Sequence, residues 1–282
     1  MAKTVVVTGG AGFVGSRLCE RLVREGYHVI SLDNYFTGTE EKHIDGVEYR
    51  VGHTKDIAKL VPETPDLIYH LGEYARVEQS LSEPQVVWDL NIAGTQGVLE
   101  FWRAKKCKLI YAGSSTKFGD GGLSRVATPY AWTKAANTEL VKNYATWYGL
   151  PFAITYFYNV YGPGERAGKY GTVIEIFRQK KAAGEPITIT APGTQKRNFT
   201  HVDDIVDGLI LVGEKGEGEE FGLGSEEPYS IREVAEMFGG PIEMRPEAAG
   251  NRMDSMLDIT KSRAIGWSAK KKLPEYIKSI LA

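Results

Sequence analysis

Residues Val5 to Leu18 read VVVTGGAGFVGSRL, and the fold follows from how this stretch changes character along its length. The β-branched run Val5-Val6-Val7 suits a strand buried on both faces of a sheet. It passes into Gly9, Gly12 and Gly15, spaced three apart, and then into a helical pattern with Val14, Leu18, Leu22 and Val23 on one face. Strand, glycine turn and helix make the first half of a dinucleotide-binding unit. There the backbone turns sharply and approaches a pyrophosphate with no Cβ in between. The diphosphate lies over free N–H groups at the positive end of the helix dipole.

A second strand, His28 to Leu32, ends in Asp33, about 20 residues beyond the turn, where a ribose-binding carboxylate belongs. The Asp33 charge repels a 2′-phosphate and no Arg follows it immediately, so NAD is expected rather than NADP. Further strand patterns at Val47–Val51, Leu67–Leu71, Leu109–Ala112 and Ala153–Phe157 alternate with helical segments. This alternation predicts an α/β fold: a doubly wound, parallel, Rossmann-type sheet with right-handed crossovers.

Bulk properties exclude several classes. The chain has 282 residues, with 34 Lys plus Arg against 36 Asp plus Glu, so neither nucleic acid nor membrane is an expected partner. No apolar run is long enough for a bilayer span and no signal-peptide pattern opens the chain, so a cytoplasmic protein is expected. The two cysteines, Cys19 and Cys107, read as thiols in a reducing compartment. The five histidines form no ligand-spaced cluster, so no metal site is expected.

Ligands of such sheets bind at the C-terminal strand ends. After the third strand, Asp56 could accept from an adenine amino group and Ile57 pack on its ring; Asp56 reads equally well as a helix N-cap. After the fourth strand, Leu71 and Gly72 would pass beside the ribose and diphosphate. From Pro84 to Lys105 runs a long helical region with Trp88, Ile92, Thr95, Leu99 and Trp102 at helical spacing, a stripe that suits core or a subunit interface.

Tyr130-Ala131-Trp132-Thr133-Lys134 carries the chemistry. On a helix Tyr130 and Lys134 are one turn apart on one face. A phenol ionises near pH 10, and an ammonium ~4 Å away at an effective dielectric of about 20 contributes up to ~4 kcal/mol, roughly three pKa units. Tyr130 is therefore an acid/base for alcohol–ketone interconversion, and Ser114, just past a strand, a donor to the same substrate oxygen.

These motifs, together with Asn91 and Asn159-Val160-Tyr161-Gly162-Pro163-Gly164, resemble the extended short-chain dehydrogenase/reductases, in particular the nucleotide-sugar epimerase/dehydratase branch. The similarity runs on through Gly184-Glu185-Pro186 and Arg197 to Asp204, nearly the whole chain. It implies residues 1–158 as an NAD-binding domain and 159–282 as mainly a substrate lobe, with some segments returning to the first domain. The implied cofactor contacts are Gly9, Gly12, Phe13, Val14, Gly15, Asp33, Asn34, Thr37 and Gly38, with Asp56, Ile57, Leu71, Gly72, Tyr130 and Lys134. Lys134 would hold the nicotinamide ribose, and Asn91 would support the site. Asn159 would touch the diphosphate of a nucleotide sugar, and Arg197 would pair with its charge. The resemblance also implies a homodimer, formed through the helices around Trp88–Trp102 and Thr133–Trp147.

The chain departs from the branch in places. Ser115 and Thr116 stand where 4,6-dehydratases carry Asp and Glu, which argues against dehydration. The stretch from Ser114 to Tyr130 is short, predicting a bare entrance. Gly72-Glu73 replaces the commoner Ala-Ala, placing a carboxylate either near the reacting sugar or in solvent. Tyr156 stands where an Arg often precedes the Asn-x-Tyr-Gly motif. Ala248 and Asn251 replace an Arg and an Asp, so Arg252 or Arg245 is expected to substitute, and Arg76 is a further substrate contact. The resulting expectation is an NAD-dependent nucleotide-sugar 4-epimerase. The alternatives are a C4 dehydrogenase or decarboxylase on the same Ser/Tyr/Lys site, or a cofactor-sensing regulatory protein.

Overall fold

The computed structural model describes residues 2–166, 168–246 and 256–282. Strands β1 (Thr4–Thr8), β2 (His28–Asp33), β3 (Val47–Val51), β4 (Leu67–His70), β5 (Lys108–Ser114) and β6 (Phe152–Phe157) fall where the sequence places them, within one or two residues. Short strands follow at β7 (Val160–Tyr161), β8 (Ile187–Thr190), β9 (Lys196–Asn198) and β10 (Thr200–His201). The last are β11 (Gly218–Leu223), β12 (Pro228–Ser230) and β13 (Ile242–Arg245).

One seven-stranded sheet runs in the order β11-β6-β5-β4-β1-β2-β3, every neighbouring pair parallel. Strand β1 lies between β2 and β4, so the chain winds outward on one side and then crosses to the other. The crevice at this reversal is where a doubly wound sheet takes its ligand. Both faces are covered. One core cluster holds Val5, Val7, Leu18, Leu22 and Val29; the other holds Val6, Ile30, Leu32, Leu109 and Trp102. The alternation of Val5, Val6 and Val7 between the two clusters is the period-two signature of a strand buried on both sides.

Helix α1 (Phe13–Arg24) leaves the glycine turn, and short helices α2 (Ile57–Leu60) and α3 (Pro84–Val87) follow β3 and β4. Between α3 and α4 (Gly94–Lys105) the helical path contains a π-helical segment, Trp88–Ala93. The wider turn re-phases the predicted stripe. Downstream, Thr95, Leu99 and Trp102 are fully buried, and Trp102 Nε1 donates to the Cys107 carbonyl at 2.8 Å; upstream, Trp88 is exposed. Trp102 is therefore core and not interface. Helix α5 (Pro129–Tyr148) starts on Thr128, whose hydroxyl accepts from Ala131 N at 3.1 Å, with Pro129 in the first turn.

Past β6, helix α6 (Val173–Ala182) packs in a separate core with Phe177, Ile187, Ile189, Phe199, Val234 and Phe238. Helix α7 (Val202–Lys215) and strand β11 return to the large sheet. There Arg17 and Arg21 of α1 pair with Asp203 and Asp207 of α7 at 3.2 and 3.0 Å.

Candidate active site

A cavity of about 450 Å³ opens at the C-terminal ends of β1, β2, β4, β5 and β6, within the size range of small-molecule sites. The glycine turn forms its floor. Gly9 has φ of 76°, and a Cβ there would lie 3.0 Å from the Gly72 backbone; a Cβ on Gly15 would lie 2.0 Å from the Gly9 carbonyl oxygen. Two chain segments thus meet backbone to backbone, which a side chain would prevent. Gly12, Phe13, Val14, Asn34, Thr37 and Leu71 also border the cavity.

Asp33 ends β2 with its carboxylate accepting from Ala11 N at 2.9 Å and from Tyr35 N at 2.8 Å. These bonds tie the carboxylate to the turn and aim it at the cavity it lines. Burial raises the Asp33 carboxyl, and the two backbone N–H groups work against that rise. The turn, the open helix end and the carboxylate fit an adenine dinucleotide.

Gly38 lies behind the turn, where a Cβ would be 3.0 Å from Ala11. Asp56 occupies the N-cap position of α2 but caps nothing with its side chain, which stands 3.5 Å from Lys59. Ile57 is fully buried in the core beside Ile30 and Leu32, so its side chain is not available to an adenine ring. Arg197 lies on β9 opposite Tyr229, 9% exposed and outside the cavity lining, its Nη1 donating to the Lys196 carbonyl. Arg252, Ala248 and Asn251 lie outside the described residues, and Arg245 ends β13 in an exposed position.

At the other end of the cavity, Tyr130 OH donates to Ser114 Oγ at 3.1 Å. The Thr116 hydroxyl donates to the same oxygen at 2.9 Å, so Ser114 keeps its own proton for a ligand. Asn91 braces this wall from the π-helical segment. Its Oδ1 accepts from Tyr74 N at 2.6 Å, and its Nδ2 donates to Thr133 Oγ1 at 2.9 Å. Asn159 lines the cavity beside Phe157 and Val160.

Arg76 enters the cavity beneath the aromatic group Phe36, Tyr74 and Tyr170. Its Nε donates to the Tyr170 carbonyl at 2.7 Å and Nη1 to the Ala75 carbonyl at 2.8 Å. Burial pulls the guanidinium below its ordinary value, and among the described residues no carboxylate forms an ion pair with it.

The structure corrects two expectations. Glu73 does not point into solvent: its side chain is 3% exposed, borders the cavity and is ion-paired with Lys134 Nζ. The Lys134 ammonium is accordingly not the unopposed charge that the helix spacing suggested. Burial raises the Glu73 carboxyl, but the Lys134 ammonium outweighs it, and the carboxyl sits below its ordinary value. The same oxygens accept from Thr95 Oγ1 and Asn137 Nδ2 at 2.7 Å and from Tyr111 OH at 3.2 Å. The network continues through His70, bonded to Thr95 Oγ1 at 3.0 Å and to Thr8 Oγ1 at 2.7 Å, to Gly72 N. Burial lowers His70 to about 4, so the imidazole is neutral. Sequence reasoning missed Thr8, His70, Thr95, Tyr111 and Asn137. Asn137 alone carried a signal, three residues past Lys134 on the same helix face.

A dinucleotide turn, a ribose-type carboxylate and a Ser/Tyr/Lys group around one cavity define an extended short-chain dehydrogenase/reductase. The chain belongs to the NAD dependent epimerase/dehydratase family, whose model matches residues 5–224. It is 31% identical over 256 residues to the UDP-N-acetyl-alpha-D-glucosaminuronate decarboxylase of Bacillus cytotoxicus, covering 84% of this chain and 79% of that one. It is 29% identical to the UDP-glucose 4-epimerase of Mycolicibacterium smegmatis, over 96% of this chain and 95% of the other. The crystal structure of Thermus thermophilus UDP-glucose 4-epimerase in complex with NAD superposes with a TM-score of 0.90 at 27% identity, covering 99% of this chain and 97% of that one. Among the described residues no helix is long and apolar enough to cross a membrane.

Proposed function

We propose that the protein is an NAD-dependent nucleotide-sugar 4-epimerase acting through a transient 4-keto sugar. The observation that carries this reading is the Tyr130–Ser114 hydrogen bond of 3.1 Å inside a cavity that also holds Lys134 and the glycine turn. Tyr130 removes the proton from the C4 hydroxyl, and Ser114 donates to the developing oxyanion. NAD held on the turn would supply the acceptor for the C4 hydride and its return, with no net redox change. Lys134 holds the nicotinamide ribose hydroxyls, and Gly9, Gly12, Phe13, Val14, Gly15 and Asp33 hold the adenine half. Asn34, Thr37, Leu71 and Gly72 complete that wall, with Gly38 packed behind it against Ala11. Asn159 and Arg76 reach the diphosphate sugar from the opposite side, where Arg76 offers a half-buried cation with no ion-pair partner among the described residues.

Ser115 and Thr116, both buried at the cavity, supply hydroxyls where elimination of water needs a carboxyl acid/base, which favours epimerisation over dehydration. The same Ser/Tyr/Lys site serves a C4 dehydrogenase or a decarboxylase, and the likeness to a uronate decarboxylase keeps that reading second. The enzyme works in the cytoplasm as a homodimer. Support for the dimer comes from Trp88, Trp132 and Trp147, exposed by 42%, 45% and 60%, the first two in edge contact at 5.1 Å.

The test is mass spectrometry of nucleotides released from purified protein, then incubation with a panel of UDP-, GDP- and other nucleotide sugars. A C4 epimer without accumulating NADH is the expected result. A keto or decarboxylated product, or stoichiometric NADH, selects the second reading. A protein that carries no NAD and turns over no member of the panel refutes both.

A further inference from the structure

Glu73 has no direct part in the chemistry proposed above, yet it is the most heavily coordinated side chain beside it. Its carboxylate accepts from Thr95 on α4, Tyr111 on β5 and both Lys134 and Asn137 on α5, so three elements fix it. Lys134 in turn is 6% exposed, donates to Glu73 and to the Ala112 carbonyl, and lies 4.5 Å over the Tyr111 ring. An ammonium has three N–H donors, so one is left for the cavity that Lys134 borders. The pair is held as a unit, with its charges adjacent and out of bulk water. A neighbouring opposite charge turns a lone ion into a dipole, whose field falls off faster with distance.

We propose that Glu73 is a positioning residue for Lys134: it fixes the ammonium in place and offsets its charge as felt by Tyr130. This rests on the reading of Tyr130 as the acid/base. Held this way, Lys134 presents one N–H to the cavity before any cofactor arrives. Its net pull on the Tyr130 phenol is weakened, because the carboxylate's charge opposes the ammonium's. The other cations that face Tyr130 are Arg76 and, when cofactor is bound, the positive nicotinamide ring, and the share of the ring grows as that of Lys134 is offset.

The test is a tyrosinate absorbance titration of purified protein with and without added NAD, with Tyr130→Phe in each background subtracted to isolate one phenol among 15. Glu73→Gln keeps the side-chain shape and removes the charge. Its Tyr130 midpoint should fall by about one pH unit or more, a tenfold gain in phenolate at a given pH, and the need for NAD should weaken. Lys134→Met should move the midpoint up. The neutral pair Glu73→Gln/Lys134→Met should return it to within about 0.3 unit of the parent, because the parent pair is itself neutral. Should Glu73→Gln not fold, the neutral pair decides alone: a midpoint as high as that of Lys134→Met overturns the offset. With an active substrate, the acidic limb of the pH–rate profile moves down with Glu73→Gln. In Glu73→Asp, which keeps the charge, the limb stays while kcat falls. Full turnover in Tyr130→Phe overturns the proposed function, whereas an unmoved midpoint in Glu73→Gln overturns this inference alone.

Discussion

Replacing Lys134 with Met should destabilise the fold, and the size of the loss should depend on pH. The substitution leaves Glu73 at 3% side-chain exposure without its cation. A carboxylate stranded in this way has one escape, which is to take up a proton. Against an unfolded-state pKa of about 4.3, protonation at pH 7 costs about 2.7 units, or about 3.7 kcal/mol. That sets a ceiling, which falls by about 1.4 kcal/mol per pH unit and leaves about 1 kcal/mol at pH 5. The hydrogen bonds from Thr95, Tyr111 and Asn137 persist in the variant and keep the loss near or just under that ceiling. Glu73→Gln strands the Lys134 ammonium in the same way and should also destabilise the fold. The double neutral variant should lie within about 1 kcal/mol of the parent, as neutral replacements of buried ion pairs often do. Urea unfolding of all four proteins between about pH 5 and 8 reads these differences. A loss in Lys134→Met that stays flat across that range, or a double variant equal to the sum of the singles, would show that the two charges do not act on each other.

Tyr130→Phe should lower turnover by about 10²–10⁴-fold while the NAD content by mass spectrometry stays at the parent level. Gly15→Ala should abolish NAD retention and lower the urea midpoint, because its Cβ would meet the Gly9 carbonyl oxygen at 2.0 Å; a variant that keeps NAD would contradict the turn geometry. His70, lowered to about 4 by burial, is neutral when folded. The unfolded chain binds the proton first, so its contribution to stability is complete above about pH 6.5 and is lost as pH falls towards 4. In that window the parent's stability should fall more steeply than that of His70→Asn, by about 1.4 kcal/mol per pH unit. The comparison with a variant matters because Glu165, pushed up to about 8 by burial, tilts the parent's curve the other way. Trp147→Glu should shift sedimentation from dimer to monomer, and an unchanged dimer would move the interface away from α5.

The six strands from β1 to β6 were legible because each is an apolar run or, in β3, an apolar/charged alternation, bounded by glycine, polar turns or helical periodicity, which is a local signal. Strand β11, Gly-Glu-Glu-Phe-Gly-Leu, was not: two glycines and two glutamates carry no strand pattern, and Glu220 adopts a positive φ of 77° where the register shifts. Only its place at the sheet edge beside β6 makes it a strand. Tyr130 and Lys134 could be placed because one helix sets their spacing. Glu73 could not, because its burial follows from the non-local order of β4 between β1 and β5 and from the helix laid across them. A charged residue after a strand looks like loop surface until the neighbouring elements are in place.

The late arrival of β11 also bears on how the chain is made. A ribosome that has delivered residues up to Phe157 has released six strands whose outer member, Phe152–Phe157, still lacks its partner. That edge is apolar and unpaired, the kind of template on which nascent chains stick to one another. About sixty further residues, including the part of the second core around Phe177 and Phe199, must emerge before Gly218–Leu223 closes it. No single cut can therefore separate the nucleotide half from the remainder of the chain without leaving that margin bare.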